Sequence, residues 1–261
     1  GKSGLNTYAD FVMETDAVVG RVLESIEQSG VADHTLVVFT SDNGCAPYIG
    51  VPDLEAMGHF PSGPLRGYKA DVWEGGHRVP FLVRWPRRVK AGRTCDQLVQ
   101  QADLMATFAQ IVGYPLPDTA GEDSVSLMPL LEAGNSPVRT TAVNLSAQGM
   151  PAVRQGTWKL IFGPGSGGWG KGRDDHPGQL YNLAEDIAES KNLFAEKPQT
   201  VAELTAVMRQ IVTAGRSTPG VAQENDVAVN WERFMQPDSP AKKASGKKAK
   251  STRAGASKPP K

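Results

Sequence analysis

A carboxylate and a carboxamide stand side by side where a short apolar run ends. The run at residues 36–39 is followed by Thr-Ser-Asp-Asn-Gly, in which Asp42 and Asn43 offer neighbouring side-chain oxygens. Such hard donors suit Ca²⁺ or Mg²⁺, and ligands of open α/β sheets bind beyond the carboxyl ends of strands. Asp-Asn-Gly is also favourable turn chemistry, and turns are far commoner than metal sites. These residues alone therefore leave a turn and a cation site open.

The elements around this stretch predict an α/β arrangement. Apolar residues recur at spacings of three and four over residues 7–29, which is typical of a helix with one buried face. The run at residues 36–39 predicts a strand buried on both faces, as in a parallel sheet. Residues 81–83 predict a second buried strand. Asp103 is placed to cap a further helix, which Gly113 ends.

After Gly134 the pattern changes to that of a small antiparallel sheet. Four short strands are predicted, at residues 140–145, 152–154, 157–162 and 180–183. Gln155-Gly156 is a hairpin signal, and Pro198 can begin a helix. The glycine-rich residues 163–175 are expected to be mobile. They contain G-x-G-x-x-G, but no helix follows it, so a dinucleotide site is not predicted.

We therefore expect three regions. They are the C-terminal part of an α/β domain at residues 1–134, an antiparallel-sheet subdomain at residues 135–220, and an extension with a disordered basic tail at residues 221–261.

The charge is unevenly distributed. Net charge is zero, yet residues 239–261 hold eight Lys and Arg and no acid, so the rest of the chain carries about −8. An acidic body argues against a nucleic-acid-binding core. The tail, from about Gln236, is interpreted as a solubilising segment in preference to a polyanion-binding one. No run of about 18 apolar residues occurs, so no membrane span is predicted.

Two motifs together resemble the sulfatase family, in particular bacterial arylsulfatases. They are TLVVFTSDNG at residues 35–44 and PLRGYKADVWEGGHRVPFLVRWP at residues 64–86. QQADLMATFAQIVG, VRQGTWKLIF and LYNLAEDIAESKNL fit in the same order, and the resemblance extends over about residues 7–219. It implies an alkaline-phosphatase-like α/β sheet with flanking helices, followed by a small C-terminal subdomain of antiparallel sheet and helix.

The resemblance also implies a chemistry. Sulfatases hydrolyse sulfate esters, here of an aryl or carbohydrate compound, with a formylglycine beside a divalent cation, usually Ca²⁺, with Mg²⁺ possible. At the matching positions Asp42 and Asn43 are metal ligands and Lys69 contacts the sulfate. A metal and a fixed positive charge would both stabilise the negative charge that develops on the sulfate. Ca²⁺ takes six to eight oxygens, so these two residues would supply only part of its shell.

Two further features near these motifs are open to more than one interpretation. His59 is a candidate for the substrate side of the site, and an ordinary loop histidine is the alternative. Glu74 and Arg78 could pair and order the loop that carries Lys69, although an exposed pair would stabilise little. His77 is interpreted as structural.

The nucleophile motif of the family, Cys or Ser followed by x-Pro/Ala-x-Arg, does not occur as a credible site, because the resemblance places the nucleophile upstream of the metal-ligand motif. Of the two cysteines, Cys45 comes closer, with Pro47 in place, but Ile49 stands where Arg is required, and Cys45 lies downstream of the metal-ligand motif. We therefore expect the chain to be the C-terminal portion of a longer, periplasmic or secreted sulfatase. The N-terminal half of the same enzyme would supply the formylglycine, and the chain would be inactive by itself.

Two other functions are weighed against this one. A phosphodiesterase or phosphonate monoester hydrolase of the same superfamily would place similar ligands at strand ends. A non-catalytic binding module, in which a metal orders a loop, belongs to a different class. A formylglycine motif upstream would favour the sulfatase.

Overall fold

The computed structural model describes residues 1–236 as helices and two antiparallel sheets. The first part of the chain contains α1 (Thr7–Gln28), β1 (Val37–Thr40), α2 (Val51–Ala56), α3 (Glu74–His77), β2 (Phe81–Arg84), α4 (Asp103–Val112) and α5 (Met128–Leu131). The second contains β3 (Thr141–Leu145), β4 (Pro151–Gln155), β5 (Trp158–Ile161), β6 (Gln179–Asn182) and α6 (Pro198–Ala214). Short 3₁₀ turns lie at Ala32–His34, Pro47–Ile49 and Trp231–Met235. The predicted disordered tail lies outside the described residues, apart from its first residue, Gln236.

The first sheet differs from its prediction. β1 and β2 form an antiparallel pair, with Phe39 opposite Leu82, and β1 has no other strand partner among residues 1–236. The pair is only partly covered, because Leu82 is 58% exposed. The prediction of a parallel strand buried on both faces is therefore wrong for this part of the chain. A four-residue apolar run has the same pattern in both arrangements, so the sequence could not separate them.

The long first helix is confirmed, but its apolar face is not covered. The side chain of Asn6 accepts the backbone N–H of Ala9 at 3.0 Å and so caps α1. Of the residues in α1 only Ala9 is buried, and Phe11 is 62% exposed. The apolar stripe that predicted a buried face thus lies on the surface of the described residues.

Asp103 does not cap α4 as predicted. It is the first helical residue, it is fully buried, and its carboxylate accepts backbone N–H groups of Gln100 at 2.7 Å and Val125 at 3.0 Å. It also forms an ion pair with buried Arg139. Asp103 therefore ties α4 to two later segments. Gly113, with φ of 72°, ends the helix as predicted.

The second sheet agrees with its prediction. The strands are antiparallel in the order β3-β4-β5-β6, and Gly156, with φ of 58°, turns the chain between β4 and β5. α6 begins at Pro198 and packs on β4 and β5 through Leu204 and Met208. Trp231 joins this core by meeting Phe162 edge to face at 4.8 Å. No signal in the sequence led us to expect that contact.

A segment of the first part packs against the second sheet. Val72 and Trp73 are buried in one cluster with Met150, Ile161 and Tyr181. The division at residues 134 and 220 stays a prediction, because residues 66–77 and Trp231 both contribute to the packing of the second sheet. No helix among residues 1–236 has the length and apolar character required to cross a bilayer.

Candidate active site

The turn after β1 orders the two candidate metal ligands through its own hydrogen bonds. Ser41 Oγ donates to the carbonyl of Asn43 at 2.9 Å, and Asn43 Nδ2 donates to the carbonyl of Gly44 at 3.0 Å. Within residues 1–236, Asn43 Oδ1 accepts no hydrogen bond and the exposed carboxylate of Asp42 has no ion-pair partner. Both side chains therefore keep an oxygen available for a hard cation, and this donor set fits Ca²⁺ or Mg²⁺.

The turn is held against α3 by backbone contacts that only glycine permits. The N–H of Gly44 donates to the carbonyl of Gly76 at 3.0 Å. A Cβ at position 44 would lie 1.8 Å from the carbonyl oxygen of Gly75, and one at position 75 would lie 2.4 Å from that of Gly67. The two sequence motifs are thus packed backbone to backbone.

Lys69 is attached to the same turn. Its backbone N–H donates to the carbonyl of Cys45 at 2.8 Å, two residues after Asn43. The next residue, Ala70, has φ of 79°, a left-handed conformation that costs a non-glycine residue energy and often marks functional loops. The carbonyl of Ala70 accepts the N–H of Ala147 at 2.9 Å. Lys69, which is partly buried, therefore stands on a backbone fixed from both sides.

The buried carboxylate of Asp71 fixes the Lys69 loop further. Its Oδ2 accepts the N–H of Tyr68 at 2.8 Å, and its Oδ1 accepts the N–H of Gly170 at 2.7 Å. A Cβ at Gly67, which has φ of 88°, would lie 2.9 Å from Asp71 Oδ2. Asp71 thus links the Lys69 loop to the glycine-rich segment of the second part.

The first half of the glycine-rich segment, residues 163–170, is packed against its neighbours, and the mobility expected of residues 163–175 stays a prediction. Gln179 Nε2 donates to the carbonyls of Gly163 at 2.8 Å and Gly165 at 2.9 Å. The carbonyl of buried Ser166 accepts the N–H of Val72 at 2.9 Å. Its glycines therefore serve close packing of backbones, which the sequence alone does not distinguish from flexibility.

A buried charge cluster holds α3 against β5. The predicted pair of Glu74 and Arg78 is present at 3.3 Å, but the shorter contact of Glu74 is to Lys159 Nζ at 2.8 Å. Lys159 also lies 2.9 Å from Glu189 Oε1, and Glu189 Oε2 accepts the backbone N–H of Glu74 at 2.7 Å. Glu74, Lys159 and Glu189 are all at most 2% exposed, whereas the side chain of Arg78 is 49% exposed. The buried partner of Glu74 is therefore Lys159, and a role for the Glu74–Arg78 pair in ordering the Lys69 loop stays a prediction.

This cluster shifts the pKa values of three groups. Burial opposes the ionisation of Glu74, but the attraction of Lys159 outweighs it and lowers the pKa of Glu74 to about 2. Burial raises the pKa of Glu189, and Lys159 only partly offsets that effect. Burial and the nearby Lys159 lower the pKa of His77 to about 4, so its imidazole is neutral at pH 7. Its Nε2 lies 3.1 Å from the carbonyl of Val72, in keeping with a structural role.

Other candidate residues lie apart from these contacts or have other partners. His59 is exposed just after α2, and only its backbone N–H is engaged, with the carbonyl of Leu54 at 2.9 Å. Its role on the substrate side stays a prediction. Cys45 and Cys95 are both free thiols, and Cys45 Sγ lies 3.2 Å from Ser62 Oγ. Among the described residues, no three His, Cys, Asp or Glu side chains are grouped so as to hold a metal.

Known proteins resemble this chain in both sequence and structure. The sulfatase family model matches residues 2–114. An N-acetylgalactosamine-6-O-sulfatase of Bacteroides thetaiotaomicron is 34% identical over 222 residues, which are 82% of this chain and 43% of that protein. Arylsulfatase A of Homo sapiens is 32% identical over 228 residues, 80% of this chain and 43% of its own length. The chain therefore spans less than half the length of these relatives.

A solved structure confirms the predicted fold class. It comes from work on the metabolism of multiple glycosaminoglycans by Bacteroides thetaiotaomicron and superposes with a TM-score of 0.72 at 32% identity. The superposition covers 81% of this chain and 45% of that one. With the matches in sequence, in fold and in the two motifs that build the site, the chain belongs to the sulfatase family.

Proposed function

We propose that the protein carrying this chain hydrolyses carbohydrate sulfate esters at a site that includes Asp42, Asn43 and Lys69. One observation carries the proposal, namely the hydrogen bond from the backbone N–H of Lys69 to the carbonyl of Cys45. It holds the loop of the candidate sulfate contact beside the turn of the candidate metal ligands. The bond between Gly44 and Gly76 supports the same arrangement.

Each of these side chains would have a distinct task. Asp42 and Asn43 would hold the cation, which when bound supplies positive charge to a sulfate oxygen. Ca²⁺ suits them better than Mg²⁺, because it accepts a larger and more flexible shell of oxygens. Lys69 would hold a second sulfate oxygen and stabilise its growing negative charge as the ester bond breaks. The left-handed conformation of Ala70 and the two hydrogen bonds accepted by Asp71 fix the backbone that carries Lys69.

The nucleophile is proposed to come from outside these 261 residues. Cys45 is near the site, but its sequence context lacks the arginine that formylglycine formation requires, since position 49 is Ile. The N-terminal half of the same enzyme would bring the formylglycine and the remaining metal ligands. It would also cover the apolar face of α1. A periplasmic or secreted location is part of the same proposal.

The names of the relatives support a substrate class. One relative at more than 30% identity is named for a sulfated amino sugar, and the related solved structure comes from work on glycosaminoglycans. These names favour a carbohydrate sulfate over a simple aryl sulfate. They do not favour the phosphodiesterase or phosphonate hydrolase alternative, and a non-catalytic module is disfavoured by the same relatives.

The test is the substitution Lys69→Ala in the full-length product of the gene. We expect kcat/KM on N-acetylgalactosamine 6-sulfate to fall by about 10²–10³-fold, the usual effect of losing one oxyanion-stabilising group. Lys90→Ala removes an exposed lysine from another loop and should leave kcat/KM within about twofold. Equal activity of the Lys69 and Lys90 variants would overturn the assignment of Lys69.

A further inference from the structure

Two aromatic side chains meet on the surface and leave most of their area open. The ring centroids of Tyr48 and Trp169 are 5.8 Å apart, with their planes inclined at 57°. Tyr48 is 75% exposed and Trp169 is 49% exposed. Both side chains present a large apolar ring face together with a polar atom. A pair of this kind is suited to bind the flat face of a ring-shaped ligand.

Tyr48 reaches this position from the turn that carries the metal-ligand candidates. It lies in the 3₁₀ turn Pro47–Ile49, three residues after Cys45. The carbonyl of Cys45 accepts the backbone N–H of Lys69 at 2.8 Å. One side of the aromatic pair is therefore linked to the Lys69 loop by a single hydrogen bond.

Trp169 approaches the same loop from the second part of the chain. It stands between Gly168 and Gly170, and the N–H of Gly170 donates to Asp71 at 2.7 Å. Gly168 lies so close to the loop that a Cβ there would be 2.3 Å from the carbonyl oxygen of Ala70. The two aromatic residues thus approach residues 69–71 from two separate segments.

We propose that Tyr48 and Trp169 form a platform that binds the sugar ring of the carbohydrate sulfate whose sulfate group Lys69 holds. This inference rests on the proposed function. The C–H faces of a sugar can lie on the aromatic rings while its hydroxyl groups remain in water. A small aryl ester would be expected to occupy an enclosed apolar pocket, whereas this pair is open on the surface of the described residues and suits a glycan.

The test measures binding without turnover. The full-length product of the gene is produced without the modification that makes formylglycine, and calorimetry follows N-acetylgalactosamine 6-sulfate, 4-nitrophenyl sulfate and inorganic sulfate. We expect Trp169→Ala and Tyr48→Ala each to weaken sugar-sulfate binding by about tenfold and to leave inorganic sulfate unchanged, an effect on the scale of one nucleic-acid base stacked on an aromatic side chain. Trp169→Phe should retain most of the affinity.

The controls separate this inference from the proposed function. Tyr114→Ala removes another exposed aromatic residue, beyond the end of α4, and should change no affinity. Lys69→Ala should weaken the sugar sulfate and inorganic sulfate alike. If the platform variants bind the sugar sulfate as the wild type does while Lys69→Ala weakens it, the platform is refuted and the function stands. If Lys69→Ala binds the sugar sulfate as the wild type does, or if the wild type does not bind it, both the platform and the proposed function are overturned. An equal loss for 4-nitrophenyl sulfate overturns the sugar assignment.

Discussion

Asp71 is a buried carboxylate that orders the loop carrying Lys69, the candidate sulfate contact. It accepts backbone N–H groups on both sides of the Lys69 loop, from Tyr68 and from Gly170. Replacing it with alanine leaves both donors without that acceptor, at a cost of about 1–3 kcal/mol for each group. We expect Asp71→Ala to lower kcat/KM by about 10–100-fold.

A structural and a positioning effect of Asp71 can be told apart. Asp71→Asn keeps the size of the side chain but presents an amide donor to one of the two N–H groups, so the loop should be disturbed while the protein remains folded. The melting temperature and kcat/KM are measured together, with Asp33→Asn as the exposed control. Normal kcat/KM in both Asp71 variants would show that the hydrogen bonds accepted by Asp71 are not needed to position Lys69.

The metal assignment can be tested without catalysis. Asp42→Ala removes the one charged oxygen donor of the turn, so Ca²⁺ affinity measured by calorimetry on the full-length product should fall at least tenfold. Asp16→Ala, on the exposed side of α1, should bind Ca²⁺ as the wild type does. If the two variants bind equally, Asp42 is not a ligand.

Resemblance to known motifs was sufficient to nominate the residues at the surface of the site, but not the residues that support them. Asp42, Asn43 and Lys69 stand within two contiguous motifs. Lys159 and Glu189 meet Glu74 only after the chain has folded, because 85 and 115 residues separate them along the sequence. The single available signal was a lysine inside the apolar strand at residues 158–161, where a charge needs a buried partner.

At the scale of elements, the charge cluster joins α3 to β5. Lys159→Met would leave the carboxylates of Glu74 and Glu189 buried without their cation. Breaking a buried pair in this way typically costs about 3–5 kcal/mol, so we expect a marked drop in the free energy of unfolding in urea. Lys171→Met, at an exposed position, is the matched control. A loss below about 1 kcal/mol for Lys159→Met would mean that both acids are already neutral in the folded protein.

His77, at the end of α3, gives the fold a dependence on pH of predictable sign. Its pKa falls from the ordinary 6.5 to about 4, so the unfolded chain binds its proton more readily than the folded chain does between those values. Its stabilising contribution is complete above pH 6.5 and is lost as the pH falls towards 4. We expect His77→Gln to flatten the melting temperature between pH 6.5 and 4, whereas the exposed-site variant His34→Gln should keep the wild-type slope.

The elements themselves were largely predictable, whereas their pairing was not. Strong periodicity identified α1, α4 and α6, and the Gln155-Gly156 signal located the hairpin of the second sheet. β1 was assigned the wrong partner geometry, because strand pairing is decided by residues more than 40 positions apart, as with Val37 and Arg84. The role of the glycine-rich segment was missed for the same reason.

At the scale of the whole molecule, the apolar face of α1 is a long surface that the described residues leave uncovered. Burying apolar surface of this kind stabilises a protein by roughly 25 cal/mol for each Å² removed from water. If a segment outside these 261 residues covers it, as proposed, Phe11→Ser should destabilise the full-length product by about 1–3 kcal/mol and reduce aggregation of the 261-residue chain. Glu14→Ser on the same helix should do neither. Equal stability of the two full-length variants would show that the face is not covered.

The 261-residue chain by itself is expected to show no multiple turnover of an aryl or sugar sulfate, even with added Ca²⁺. Its formal match to the formylglycine motif, Ser62-Gly-Pro-Leu-Arg66, lies after Asp42 and Asn43, whereas the family resemblance places the nucleophile before them. An unmodified thiol lacks the geminal hydroxyl that allows the hydrate to release sulfate. Cys45→Ser should therefore leave the activity of the full-length product within about twofold. Multiple turnovers by the short chain that Lys69→Ala abolishes would reveal a nucleophile within these residues.

The glycine contacts that join the two motifs have a genetic consequence. Positions 44, 75 and 76 have no room for a methyl group against neighbouring carbonyls, whereas at Gly20 nothing lies within 4 Å of an added Cβ. In a library holding every single substitution and selected for sulfatase activity, the first three positions should be depleted of all alternatives and position 20 should tolerate many. Missense changes at those three glycines would then inactivate the protein although none of them alters a catalytic side chain.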